Sequence, residues 1–175
     1  MAVYATATGK PLTLTGAGAI PAGSTTQRPG PDQEWHRDRW VDSLSRRLIK
    51  LKVLKRALIE EGYTAYLLSG FTSIALGKVH RYDSALTDQV TLNRLVQSGL
   101  SGLVACRNRI GARTLTKHSA EQLHQVHQDL LHFQQQARAQ AEHLKSQLDQ
   151  ALQQQDQSAM NRIQWCAPQH PYACV

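Results

Sequence analysis

The stretch from Ser119 to about Gln154 limits the fold more than any other. Apolar or small residues recur there at Leu123, Val126, Leu130, Phe133, Ala137, Ala141, Leu144, Leu148 and Ala151. Steps of three and four gather them on one stripe roughly 100° wide along a 3.6-residue helix. Two successive four-residue steps, through Ala137 to Ala141, make a stutter that locally unwinds a left-handed supercoil. Ser119 is the expected N-cap, with Gln122 as the reciprocal partner of a capping box. At ~1.5 Å per residue the helix is about 50 Å long. A small domain does not need that length, so the stripe is expected to pair with other helices. The other face is polar and includes thirteen glutamines from Gln122 to Gln157.

Two arrangements cover such a stripe. In the first, Leu123, Val126, Leu130, Phe133, Ala137, Ala141, Leu144 and Leu148 form an oligomer interface, with a trimer favoured. In the second, a helix earlier in the chain folds back as an antiparallel partner. Melting that depends on protein concentration separates them.

The 175 residues are 41% hydrophobic but only 6% aromatic, which suits helices packed through Leu, Val and Ala. Of the net +7, residues 63–117 carry +5 and residues 118–155 carry −2. No apolar run reaches the ~18 residues of a membrane span. Met1-Ala2-Val3-Tyr4 lacks a signal-peptide pattern, so synthesis in a cytosol is expected. Cys106, Cys166 and Cys174 make no disulfide framework. Free thiols are expected, with a Cys166–Cys174 bridge as the alternative.

Residues 1–31 read as an extended N-terminal docking arm. Val3 to Thr8 and Leu12 to Thr15 suit short strands, split by the Gly9-Lys10-Pro11 turn, and Gly16 to Pro31 suits no regular element. Residues 32–62 read as a basic amphipathic helix capped by Asp32, with Glu34 in its first turn and Gly62 as its C′ residue. Its stripe is Val41, Leu44, Leu48, Leu51 and Leu58, closed by Trp35 and Trp40. Lys55 falls within that stripe, where a lone lysine sets register or oligomer state or snorkels to water. Residues 63–117 read as a small α+β region. It has strands at Tyr63–Leu68 and Gly77–Tyr82, then a helix from Ala85 to about Gln97 capped by Asp83 or Ser84 and ended by Gly99. A hairpin follows around Asn108-Arg109-Ile110-Gly111. Residues 118–155 are the long helix. Residues 156–175 are a short turn capped by Asp156, the anchor Trp165 and an extended tail. The expected fold class is α+β, mostly α: long amphipathic helices able to form a trimeric coiled coil or bundle, with a small β-containing region and an extended N-terminal arm.

Chemistry is sparse. His124, His127 and His132 share a helix, but zinc needs three or four convergent ligands, and these read as solvated or interfacial. No phosphate loop, nucleophile elbow or His-Glu metal motif occurs. The residues therefore point to no catalytic role, cofactor or metal. Arg46, Arg47, Lys50, Lys52, Lys55 and Arg56 run without an acid. A solvated helix face is the favoured reading, ahead of a nucleic-acid surface.

Residues 78–165 hold Tyr82-Asp83-Ser84, then Thr87-Asp88-Gln89-Val90-Thr91-Leu92. After them come His118-Ser119-Ala120-Glu121-Gln122-Leu123 with Gln125-Val126, Leu144 to Leu152, and Ile163-Gln164-Trp165. In that order and spacing the segment resembles a domain of unknown function found in phage tail-fibre and tail-fibre-assembly proteins. Ser24-Thr25-Thr26-Gln27-Arg28-Pro29 is similar to a phrase common in phage fibre proteins, where a strand repeat follows instead of a helix. The resemblance implies a virion tail context and a protein made in the bacterial host cytoplasm. The expectation is a tail fibre, fibre-base or baseplate-associated subunit whose arm meets other tail proteins. A fibre-assembly chaperone is the alternative.

Overall fold

The computed structural model describes residues 2–13 and 19–168 of the chain. Short strands come first: β1 (Val3–Ala5), β2 (Pro11–Leu12), β3 (Ser24–Thr25), β4 (Gln33–His36) and β5 (Arg39–Asp42). Helix α1 (Leu44–Leu68) leads to β6 (Phe71–Ser73) and β7 (His80–Tyr82). Then come α2 (Leu86–Ser98), β8 (Gly102–Arg107), β9 (Arg113–His118), α3 (Ala120–Gln153) and α4 (Gln157–Arg162). Helices hold about 48% and strands about 20% of the described residues, so the chain is mixed α/β around one long helix.

The capping box that starts α3 is present. Ser119 Oγ accepts from Gln122 N at 3.2 Å, and Gln122 Oε1 accepts from Ser119 N at 2.9 Å. All nine stripe residues are buried, Leu144 being the most exposed at 6%. Their cover comes from this same chain. α1 runs antiparallel beside α3: Leu48 packs with Leu148, Ala151 and Met160, and Ile59 with Ala141 and Leu144. Tyr66 then reaches Phe133, with ring centroids 4.9 Å apart. Nearer the start of α3, Leu123, Val126, Leu130 and Phe133 join Phe71, Tyr82, Leu92 and Cys106. Fully burying a leucine-sized side chain contributes about 1.5–3 kcal/mol, and one chain already collects that gain. Leu123, Val126, Leu130, Phe133, Ala137, Ala141, Leu144 and Leu148, expected at an oligomer interface, are therefore covered within the single chain.

Lys145 ties the two helices at their edge, meeting Glu60 of α1 at 2.5 Å and Glu142 at 2.9 Å. Those two hydrogen bonds, Glu60's first, raise its pKa.

The helix expected to start just after Asp32 starts instead at Leu44, because a hairpin takes its place. Gln33 opens this β4–β5 hairpin, in which Trp35 faces Trp40 edge-on with centroids 5.1 Å apart. Aromatic cross-strand pairs stabilise hairpins. Ser43 caps α1, its Oγ accepting from Arg46 N at 3.4 Å and donating to Glu34 Oε2 at 2.9 Å. Asp32 pairs with Lys50 at 2.6 Å instead. α1 then runs through Gly62 and the Tyr63–Leu68 segment expected as a strand, because Ile59, Tyr63 and Tyr66 pack at helical spacing. Gly62 is a close-approach residue: a Cβ there would collide with Cβ and Cγ of Trp165.

At the N-terminus β1 pairs antiparallel with β2 and with β3, in the order β2-β1-β3. β3 falls in the segment expected to hold no regular element, and Thr6 fastens it by two bonds to Gly23 O, 2.9 Å from N and 2.8 Å from Oγ1. The expected strand end at Thr15 lies outside the described residues. Trp40 Nε1 donates to Gln27 O at 2.8 Å, joining the segment just after β3 to the hairpin.

β6-β7-β8-β9 form an antiparallel sheet in that order, packed with α2 at the start of α3. The β8–β9 turn is as expected, with Asn108 Oδ1 accepting from Ile110 N and Ala112 N, each at 3.1 Å. β6 has no counterpart among the expected elements. α2 ends at Gly99 (φ 66°) as expected, but its N-cap is Ala85. Ser84 Oγ is committed to Leu67 O and, at 3.1 Å, to Gly70 N. Asp156 caps α4, accepting from Ala159 N at 2.9 Å.

Candidate functional site

The β6–β9 sheet presents one face away from α3. Its pairing aligns Arg81 with Arg107 and Arg107 with Arg113 on three adjacent strands. Like charges placed directly opposite one another destabilise a sheet. Asp83 relieves part of this, 3.0 Å from Arg113 Nε and 3.6 Å from Arg107 Nε. Arg81 donates to the Ser69 carbonyl. Beside the row, a groove of about 780 Å³ is lined by Thr72, Lys78, Val79, His80, Arg81, Arg107 and the Asn108–Ile110 turn, with no acid in the lining. Ile110 at its rim is 88% exposed. Such a surface suits an anionic partner.

Beneath the sheet lies a buried polar pair that the sequence reading missed. His118 Nδ1 donates to Thr116 O at 2.9 Å, which leaves Nε2 to accept from the Tyr82 hydroxyl at 2.9 Å. Burial holds His118 below its ordinary pKa, against the raising effect of the Thr116 carbonyl. Burial, then Cys106 and Asp129, pushes Tyr82 up. Cys106 Sγ sits 3.5 Å from Thr116 Oγ1. The Tyr82–His118 bond joins strand β7 to strand β9.

Lys55, read as a register-setting residue, acts within one chain. Its Nζ donates to Asn161 O at 2.6 Å and Ile163 O at 2.8 Å, at the end of α4. Its basic neighbours are largely engaged too. Lys52 and Arg56 meet Asp149 at 2.6 and 3.6 Å, and Arg46 reaches the Gln33 carbonyl. Among the described residues no group of three or more His, Cys, Asp or Glu converges as a metal site. His132 instead contacts Gln136 Nε2 at 2.8 Å. Cys106 and Cys166 are free, and Cys174 lies outside the described residues. Among those residues no helix is long and apolar enough to cross a membrane.

No family model matches this sequence, and neither curated proteins nor solved structures give a match.

The basic face was legible only as an excess of charge over residues 63–117. Its assembly needed the strand register, which sets Arg81, Arg107 and Arg113 side by side.

Proposed function

We propose that the chain is a structural component of a bacteriophage tail, a connector at a fibre, fibre base or baseplate. The observation that supports it is two unlike surfaces held at opposite ends of the α1–α3 pair. One is the N-terminal sheet, whose short outer strands β2 and β3 offer edges for a partner's strand. The other is the arginine face. α1 is 25 residues long, which separates them by about 37 Å. Other tail proteins are the partners, and a homo-oligomer would use surfaces other than the buried α3 stripe. Quantitative mass spectrometry of purified particles tests the reading. Copies in fixed ratio to a fibre or baseplate protein support it. Absence from particles, with capture on the fibre protein during assembly, supports the chaperone reading instead.

The acid-free groove favours one further reading, binding of nucleic acid. Binding to random duplex with a steep salt dependence would support it, and a flat response would remove it.

A further inference from the structure

Helix α1 carries leucine, isoleucine and valine side chains on more than one side, yet only Leu48 and Ile59 are buried. Apolar residues beyond the buried stripe give a helix a second face that a partner could cover. From Leu44 a second heptad runs to Leu68 by alternating steps of three and four, beside the face that meets α3; its Leu51 is half-buried against the Leu48–Leu148 cluster, on the border of the two faces. Leu54, Leu58 and Leu68 on it are 56%, 47% and 62% exposed. Two charges interrupt it, Arg47 and Glu61, seven residues either side of Leu54. Neither makes an ion pair with another described residue.

We propose that this face binds α1 of a second copy, antiparallel, about a twofold axis near Leu54. That arrangement brings Arg47 of each copy within about one helical turn of the other copy's Glu61. A parallel pair or trimer would stack Arg47 on Arg47 and Glu61 on Glu61, so the charge pattern selects the antiparallel dimer. The inference stands apart from the tail reading, since it uses neither the arm nor the groove.

Sedimentation equilibrium of the full chain from about 1 to about 100 µM tests it. The expected mass is that of a dimer. Arg47→Glu and Glu61→Arg should each weaken the Kd by about tenfold or more, and combining them should restore it to within about threefold. Leu54→Lys, at a position exposed in the single chain, should give a monomer with an unchanged circular dichroism spectrum. A monomeric wild type, a trimer, a double variant no tighter than the single ones, or a dimer that survives Leu54→Lys would overturn the proposal.

Discussion

Tyr82 donates its hydroxyl proton to Nε2 of His118 at 2.9 Å, with both side chains buried. Tyr82→Phe leaves Nε2 buried without a donor, at a cost of about 1–3 kcal/mol. The urea midpoint should fall accordingly. An unchanged midpoint would show that the bond contributes nothing.

The same histidine gives a pH dependence. Burial keeps its folded pKa below the ordinary 6.5, so the unfolded chain binds the extra proton as pH falls. Stability therefore rises with pH across that window. The contribution is complete above 6.5 and is lost below it, toward the folded pKa. Between about pH 7.5 and 5.5 the wild-type Tm should drop more than that of His118→Gln. Equal slopes would refute this.

Gly62→Ala tests the close approach of Trp165. In an exposed helix interior this change stabilises by about 1 kcal/mol. Here the new Cβ collides with the Trp165 side chain, and overpacking costs about 1–3 kcal/mol. A lower Tm with altered tryptophan fluorescence is expected, and a higher Tm would contradict the packing.

Lys55→Met removes the two bonds to Asn161 O and Ile163 O. Hydrogen bonds to charged groups contribute about 1.5–3 kcal/mol. Amide exchange should accelerate in residues 157–165 while the centre of α3 stays protected. Uniform protection would count against this role for Lys55.

The α3 stripe, its capping box and the Asn108 turn were legible because each depends on residues close in sequence. What covers the stripe was not legible: periodicity marks a face and leaves its partner open. Tyr63 and Tyr66 lie in a segment that alternates as a strand does, but contacts with Trp165 and Phe133 keep them helical. Asp32 has cap chemistry, yet the Trp35–Trp40 pair draws the chain into a hairpin and leaves the cap to Ser43. His118 gave no signal, since its partner Tyr82 is remote in sequence and only the inward register of β9 joins them.

The pairing of Leu48 with Leu148 also sets a timetable for synthesis. At about 5–20 residues per second, roughly 5–20 s pass on the ribosome between the two residues. For most of that interval, until synthesis reaches Ala120, no part of the helix that covers α1 has been made. The nascent chain thus carries uncovered leucines on α1 until α3 follows, a window in which a second chain on a neighbouring ribosome can reach them.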